Sequence, residues 1–140
     1  MHSNDRPTFE KIYMTLATMF AERSSCARLQ VGAVVTNLEQ TMVLSVGYNG
    51  NYKGGPNCCD RKDAGNCGCI HAEANCLIKL NSKGYEKKIL YVTHLPCPMC
   101  AKMIVNKGGF VKIYYGQDYR IEESKEIFKN SGIEVIKWQA

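Results

Sequence analysis

The chain contains no long hydrophobic run, and its first residues do not have the pattern of a signal peptide. No uninterrupted apolar stretch approaches the roughly 20 residues that a membrane span requires. The first ten residues, MHSNDRPTFE, contain no apolar core of a signal peptide. We therefore expect a cytoplasmic protein without a membrane partner. In that compartment thiols stay reduced, so clustered cysteines favour metal binding or catalysis over disulfides.

Internal repeats, low-complexity tracts and linkers are also absent. At 140 residues, with 45% apolar and 22% charged residues, the chain is predicted to form one domain over residues 1–140. The net charge of +5 comes from scattered lysines, which suits either an anionic small molecule or weak nucleic-acid contact. Because no basic stripe with interleaved aromatic residues is evident, nucleic acid is not an expected partner.

Hydrophobic spacing predicts a helix followed by a β-hairpin. Pro7 suits an early helix position, and a stripe at helical spacing predicts a core-facing helix, formed by Phe9, Ile12, Tyr13, Leu16, Ala17 and Phe20. The stretches VGAVVT (31–36) and TMVLSVGYN (41–49) flank the polar turn NLEQ. Their β-branched and apolar residues are typical of a hairpin.

Strands and helices alternate after the hairpin. Helices are predicted near residues 70–80, 98–107 and 121–130, and strands at residues 88–94, 111–116 and 133–138. Such alternation favours parallel strands joined by right-handed crossovers. The predicted fold is therefore α/β, a three-layer α/β/α sandwich around a mixed five-stranded sheet.

What the chain has in abundance is cysteine, with eight residues. Cys97 and Cys100 lie three apart at the start of a predicted helix, so both sulfurs can reach one ion. The positive end of the helix dipole favours their thiolates. His71 and Glu73 stand at the first turn of another predicted helix. We expect the two helix N-termini to converge on one zinc ion.

The predicted ligands of this zinc are His71, Cys97 and Cys100. Three protein ligands leave a fourth position for water, which is typical of a catalytic zinc site rather than a structural one. The alternative interpretation is a helix-capping histidine, a surface glutamate at position 73 and an unrelated structural cysteine pair. The agreement of both motifs with helix starts favours the shared zinc.

The motifs H-x-E (71–73) and P-C-x-x-C (96–100) together resemble the zinc-dependent nucleotide deaminase superfamily. The stretches VGAVV, GYNG, GPNCCD, IHAEANC and LPCPMC look like those of deoxycytidylate (dCMP) deaminases, over most of the chain. GYNG and the long segment between Asn49 and His71 distinguish these from relatives that act on free cytidine or tRNA adenosine. The resemblance implies a cytidine deaminase-like fold and hydrolysis of dCMP to dUMP, which feeds thymidylate synthesis, with dCTP as a further candidate substrate.

The resemblance also implies roles for individual residues. Glu73 would take a proton from the water activated by zinc, protonate N3 of cytosine and then deliver a proton to the departing ammonia. Asn49 and Tyr119 would bind the substrate. Apart from the resemblance, Arg28 and Lys53 are candidate phosphate contacts, since the arginine fork suits a phosphate; a solvated surface charge is the competing interpretation of Lys53. For Asn49 and Tyr119, a turn asparagine and a surface tyrosine are the competing interpretations.

A second, structural zinc occurs in some members of the resembled family. Its implied ligands here are Cys26, Cys58, Cys67 and Cys69, which would hold the glycine-rich loop before His71. Cys59 is then the spare thiol, because adjacent cysteines rarely both bind one ion. The alternative is a set of reduced free thiols.

Assembly and regulation are further expectations from the resemblance. Family members are commonly homo-oligomers, often hexamers, and many are activated by dCTP and inhibited by dTTP. GYNG would contribute Tyr48, Asn49 and Gly50 to such an allosteric site, with Mg2+ accompanying a nucleoside triphosphate effector.

Two other functions stay open from the sequence. One is deamination of another base, such as cytidine, guanine or tRNA adenosine. The other is a zinc-stabilised nucleic-acid or competence-type binding module without catalysis. Glu73 argues against the binding module, because a purely structural zinc gains nothing from an adjacent carboxylate.

Overall fold

The computed structural model describes residues 5–61, 67–119 and 121–140. In these ranges the helices are α1 (Phe9–Ala21), α2 (Ala72–Lys79), α3 (Pro98–Lys107) and α4 (Glu123–Asn130). The strands are β1 (Gly32–Asn37), β2 (Val43–Tyr48), β3 (Lys88–His94), β4 (Phe110–Gln117) and β5 (Glu134–Lys137). None of the described helices is both long enough and apolar enough to cross a membrane.

The five strands form one mixed sheet in the order β2-β1-β3-β4-β5. The hairpin strand β1 pairs antiparallel with both β2 and β3. The strands β3, β4 and β5 are parallel to one another, as the alternation of strands and helices predicts. The carboxyl ends of β3 and β4 therefore lie at the same edge of the sheet.

Alternate residues of the strands face two separate cores. Val34 and Tyr91 pack against α1 on one face. Val35 and Leu90 belong to the core of the other face, which includes residues of α2, α3 and α4. This arrangement follows the period of two in a strand, and it confirms the three-layer α/β/α sandwich.

The buried face of α1 differs from the predicted stripe. Phe9 and Ile12 remain 47% and 43% exposed, whereas Met14 and Ala21 are buried. The backbone of α1 at Ala17 and Ala21 lies against Gly32, where an added Cβ would collide with it. The helix therefore turns its small residues toward the sheet, a rotation that hydrophobic periodicity alone does not determine.

A second close approach brings α2 onto β2. A Cβ at Gly47 would collide with the Ala72 carbonyl oxygen and lie 2.8 Å from the Cys76 nitrogen. The segment before α2 is held by an isolated bridge, in which the Ile70 N–H donates to the Gly50 carbonyl at 2.7 Å. These contacts determine where the first turn of α2 lies relative to the sheet.

Candidate metal centre and substrate cavity

Two helices begin at the residues that carry the principal motifs. His71 is the N-cap of α2 and Cys97 is the N-cap of α3, and both have extended backbone conformations. Pro98 occupies the first turn of α3, where its missing N–H leaves no partner unsatisfied. The Cys97 sulfur accepts the Cys100 N–H at 3.4 Å. The two N-termini converge, as the sequence predicts.

The side chains of His71, Cys97 and Cys100 have the separations of a common metal site. Nδ1 of His71 lies 3.2 Å from the Cys100 sulfur and 3.5 Å from the Cys97 sulfur, and all three ligand atoms lie within 4.8 Å of one another. Zn–N and Zn–S bonds of about 2.0 and 2.3 Å at a tetrahedral angle require an N–S separation of about 3.5 Å. The donor types and their spacing therefore fit zinc.

The surroundings of these side chains favour the ligand-competent form of Cys97. A hydrogen bond with the Cys100 thiol, together with His71 and the Cys100 N–H, lowers the pKa of Cys97 to about 4. The same contact with Cys97 raises the pKa of Cys100. Contact with Cys97 also raises the pKa of His71. Each of the three groups thus interacts directly with the others.

Glu73 lies on the first turn of α2 and is only 5% exposed. Burial raises the pKa of its carboxyl to about 7, against the lowering effects of its own backbone N–H and of His71. The side chain lines the same cavity as His71 and Cys97. A buried carboxyl of this kind is not a surface glutamate, which removes one part of the alternative interpretation.

The cavity that contains these groups has a volume of about 530 Å³. This size lies in the ordinary range for small-molecule sites. The three predicted substrate-binding residues, Arg28, Asn49 and Tyr119, all line it. Their placement agrees with the substrate-binding expectation, while their contacts with a substrate stay a prediction.

Asn49 is buried, and its amide already holds a neighbouring backbone segment. Its Oδ1 accepts the Val31 N–H at 2.8 Å, and its Nδ2 donates to the Leu29 carbonyl at 2.7 Å. The conformation of residues 29–31 therefore depends on this side chain. An amide has one more N–H and further lone pairs, so a substrate contact is compatible with these bonds.

The three residues proposed for regulation do not present one common surface. The Tyr48 ring stacks on Phe20 of α1, with a centroid separation of 6.4 Å, and Arg23 lies over the same ring. Asn49 faces the cavity, and Gly50 is bound to Ile70 in the isolated bridge. The alternation of side chains along β2 directs Tyr48 and Asn49 to different surroundings.

A second group of sulfurs lies beside the first. Cys26, Cys59, Cys67 and Cys69 have their sulfur atoms within 4.8 Å of one another. The sulfur separations are 3.6 Å for Cys26–Cys67 and for Cys26–Cys59, and 3.9 Å for Cys59–Cys69. These distances exclude disulfides, and all eight cysteines are free. Four Zn–S bonds of about 2.3 Å require sulfur separations of about 3.8 Å, so this cluster also fits zinc.

The cluster includes Cys59 in place of the predicted Cys58. Cys59 lies next to Cys26, and its sulfur accepts the Ala27 N–H at 3.4 Å. Cys58 is exposed, and its carbonyl oxygen accepts the Asn51 Nδ2 at 3.3 Å. The sulfur of Cys59 thus lies within the cluster, whereas the neighbouring Cys58 is exposed. The structure therefore differs from the expectation, because Cys59, expected to be the spare thiol, lies in the cluster, and Cys58, expected to be a ligand, lies outside it.

The thiols of this cluster influence one another. At Cys26, burial opposes the thiolate. The backbone of Leu29 and Arg28 and the neighbouring thiols outweigh that effect and lower the pKa of Cys26 to about 7. Burial raises the pKa of Cys67 and of Cys69. Cys26 is therefore the thiol of the cluster whose surroundings most favour the charged ligand.

Sequence reasoning missed two residues at the edge of the cavity. His94 ends β3 and lines the cavity, with its Nδ1 2.9 Å from the Thr93 hydroxyl, and burial lowers its pKa. Asp118 also lines the cavity, and its carboxylate accepts the Lys137 Nζ at 2.9 Å. His94 is the last residue of β3 and Asp118 follows β4, so both lie at the carboxyl edge of the parallel strands, where ligands of α/β folds generally bind. Their position at the ends of two predicted parallel strands could have marked them as cavity residues from the sequence.

Comparison with known proteins agrees with this geometry. The family model described as "Cytidine and deoxycytidylate deaminase zinc-binding region" matches residues 7–117. The deoxycytidylate deaminase of Saccharomyces cerevisiae is 35% identical over 93% of this chain and 45% of its own length. The ComE operon protein 2 of Bacillus subtilis is 32% identical over 94% of this chain and 71% of its own length. The chain thus spans less than half of the yeast relative.

A solved structure covers almost the whole chain. The dCMP deaminase of the cyanophage S-TIM5, crystallised with dCMP and dUMP, superposes with a TM-score of 0.84 at 36% identity. The match covers 95% of this chain and 98% of the cyanophage chain. The family match includes both groups of sulfurs, the buried carboxyl and most of the sheet. The chain therefore belongs to the family of proteins that share the cytidine and deoxycytidylate deaminase zinc-binding region.

Proposed function

We propose that this protein is a zinc-dependent hydrolase that deaminates dCMP to dUMP. The observation that carries the proposal is the buried carboxyl of Glu73, placed in one cavity with a histidine and two cysteines spaced for zinc. A structural zinc site has no use for such a carboxyl. The likeness to the cyanophage dCMP deaminase, whose crystals contain dCMP and dUMP, supports this choice of substrate.

Three protein atoms would hold the catalytic zinc, namely Nδ1 of His71 and the sulfurs of Cys97 and Cys100. Three ligands leave one position free, which suits catalysis rather than structure. When bound, the metal supplies a Lewis acid that lowers the pKa of water toward about 7, so that a nucleophile forms at neutral pH. The chain itself supplies the ligands, their orientation and the movement of protons.

Glu73 is the residue to which we assign the proton transfers. Its carboxylate receives a proton from the attacking water and passes it to N3 of cytosine as oxygen adds to C4. The second water proton moves to the exocyclic nitrogen through the same carboxyl. The C4–N bond then breaks, and ammonia leaves with the bonding electron pair. The products are dUMP and ammonia, with Glu73 unchanged.

The remaining lining residues would hold the nucleotide. Arg28 can form two hydrogen bonds to a phosphate with its planar guanidinium. Asn49 has an unused amide hydrogen for the sugar, and Tyr119 lines the same cavity shortly after β4. The triphosphate dCTP remains a second candidate substrate, because the exposed guanidinium of Arg28 can also bind a longer phosphate chain.

The four-cysteine cluster is proposed to bind a second zinc. Cys26, Cys59, Cys67 and Cys69 provide a full tetrahedral set, which is typical of a structural site. Such an ion would join residues 26–31 to Cys59 on one side and to Cys67 and Cys69 on the other. Residues 62–66, between these cysteines, lie outside the described residues.

Assembly and regulation stay predictions. A homo-oligomer, with a hexamer as the expected form, and control by dCTP with Mg2+ and by dTTP follow from the family resemblance alone. A cytoplasmic location stays the expectation drawn from the composition of the sequence. Sedimentation and dCMP turnover of the purified chain, each measured with and without dCTP or dTTP, test the assembly and its regulation together. A monomer whose mass and activity ignore both nucleotides would contradict them.

Release of ammonia tests the proposed activity. Zinc-replete protein is assayed in parallel with dCMP, dCTP, cytidine, guanine and a tRNA stem-loop. We expect dCMP to be the preferred substrate, with dUMP as the product. Preferred turnover of another base would assign a different deaminase. Absence of turnover in a chain that contains zinc would favour the binding module.

A further inference from the structure

The four-cysteine cluster and the catalytic residues border the same cavity. Cys26, Cys67 and Cys69 line it together with His71 and Glu73. Among the described lining residues, Arg28 is the one arginine or lysine, and it follows Cys26 by two positions. The side chain proposed to bind the phosphate thus stands directly beside the second metal site.

The segment that carries Arg28 is held at both ends. At its start, the backbone of Arg28 and Leu29 contacts the Cys26 sulfur, and the Ala27 N–H donates to the Cys59 sulfur at 3.4 Å. At its end, the Asn49 amide binds the Leu29 carbonyl and the Val31 N–H at 2.7 and 2.8 Å. Because Arg28 lies between these contacts, its position depends on both.

The contacts at the start of this segment depend on whether the sulfurs of Cys26 and Cys59 are thiols or thiolates. Hydrogen bonds to a charged acceptor are about twice as strong as those between neutral groups. A bound metal keeps the sulfurs of Cys26 and Cys59 as thiolates and keeps them together. Without it, the separations of 3.6–3.9 Å between thiols have no strong bond to maintain them. Residues 26–29 then lose their anchor, while the Asn49 contacts remain.

We propose that the metal-loaded four-cysteine cluster positions Arg28, and thereby sets the preference of the cavity for a nucleotide over a nucleoside. The inference rests on the proposed function, because it assumes a phosphorylated substrate. Cys59 is then a positioning residue. It touches no substrate, and it acts through the backbone of residues 26–29. Glu73 and the catalytic zinc ligands are not part of this effect.

The structural half of the proposal is tested by hydrogen exchange, independently of any activity. The variants are Cys59→Ser and, as a matched control, Cys58→Ser, which makes the same chemical change at the neighbouring exposed position. Zinc content should fall from two ions per chain to one in Cys59→Ser alone. Amide exchange of residues 26–29 should accelerate at least about tenfold in that variant and stay unchanged in the control. Equal exchange in the two variants would overturn the proposal.

The binding half is tested by calorimetry with dUMP and deoxyuridine, which differ only in the phosphate. Loss of one charge-assisted contact predicts about tenfold weaker binding of dUMP to Cys59→Ser, with deoxyuridine changed less than about twofold. Arg28→Gln should reproduce this loss, and the double variant should lose no more than either single variant. Additive losses, or an equal loss for both ligands, would show that the cluster does not act through Arg28.

Failure of this inference is distinguishable from failure of the proposed function. Turnover of dCMP by the wild-type chain is measured first, and its absence counts against the function alone, since the exchange experiment still applies. With turnover present, identical dUMP affinity in Cys59→Ser and Cys58→Ser overturns the inference alone. Cys69→Ser removes a different ligand of the same cluster, and it replaces Cys59→Ser if circular dichroism shows that the latter is unfolded.

Discussion

Cys58 and Cys59 are chemically identical neighbours with different surroundings. Cys59 lies among three other sulfurs, whereas Cys58 is exposed. The segment 26–31 decides between them, because it presents Cys26 and the Ala27 N–H to one side of the loop. At the scale of single residues, the place of a thiol in the cluster therefore depends on the direction of its side chain as well as on its residue type.

Glu73 gives the first prediction at this scale. The variant Glu73→Gln keeps the size of the side chain and leaves the three zinc ligands in place, but it cannot accept or deliver a proton. We expect the catalytic zinc to stay bound and dCMP turnover to fall about 10²- to 10⁴-fold, the usual range for general acid–base catalysis. Metal analysis and steady-state kinetics measure the two quantities.

The control for this variant is Glu123→Gln, which makes the same change on the first turn of α4. Glu123 is exposed and lies outside the cavity, so its variant should be as active as the wild type. Full activity of Glu73→Gln would refute the role assigned to the carboxyl, whatever the control shows.

Lys88 gives a prediction about pH. The side chain is fully buried, and its Nζ donates to the Gly108 carbonyl at 2.7 Å and the Lys83 carbonyl at 3.1 Å. Burial lowers its pKa below the ordinary value of 10.5. In the window between the lowered pKa and 10.5, the unfolded chain binds more protons than the folded chain. The contribution of this lysine to stability therefore increases as the pH rises through that window.

Urea unfolding of Lys88→Met at several alkaline pH values measures this contribution. Relative to the wild type, the free energy of unfolding of the variant should be lower, and the deficit should widen as the pH approaches 10.5. Lys87→Met, at the adjacent exposed position, should show no deficit that changes with pH. A constant deficit for Lys88→Met across the window would contradict the assignment.

At the scale of elements, the N-termini of two helices form the candidate metal centre. The first turns of α2 and α3 place His71 and Cys97 at their N-caps, and the sheet brings the two helices together. The approach of α2 to β2 depends on Gly47, since any Cβ there would collide with the helix backbone. The catalytic geometry therefore depends on a residue that touches no substrate.

Replacing Gly47 by alanine should displace α2. Overpacking of this kind typically costs about 1–3 kcal/mol in the free energy of unfolding. We also expect lower dCMP turnover, because α2 carries both His71 and Glu73. Chemical denaturation and kinetics check the two effects. Gly84→Ala is the control, since its Cβ would meet its nearest atom at 3.7 Å, an ordinary contact; equal stability of the two variants would contradict the close-packing argument.

At the scale of the whole molecule, two metal sites would join distant parts of the chain. The first would link residue 71 to residues 97 and 100, and the second would link residue 26 to residues 59, 67 and 69. Zinc binding to such sites can contribute on the order of 10 kcal/mol. Much of the stability of the loop before α2 is therefore expected to come from metal rather than from apolar burial.

Removal of zinc by a chelator gives the prediction at this scale. The midpoint of thermal unfolding should fall by more than about 10 °C, and dCMP turnover should disappear. Both should return when zinc is added back under reducing conditions. An unchanged midpoint, in protein that metal analysis shows to be free of zinc, would mean that neither site contributes to stability.

Local patterns were sufficient to predict much of this structure. The ranges of β3 and α3 agree with the prediction residue for residue, because strong periodicity and a proline mark their ends. The shared site of His71, Cys97 and Cys100 was also predictable, since an i, i+3 pair and two helix starts are encoded in short stretches. The mixed sheet followed from the alternation of strands and helices.

Contacts between distant segments account for what the sequence did not predict. The rotation of α1 follows from its approach to Gly32, and the choice of Cys59 over Cys58 follows from the position of residues 26–31. The sequence by itself determined the kinds of element, the zinc-binding motifs and the family resemblance, because each depends on neighbours along the chain. Only the tertiary structure decided which side chains share the cavity and which sulfurs lie together. Those outcomes depend on how closely separate backbones can approach.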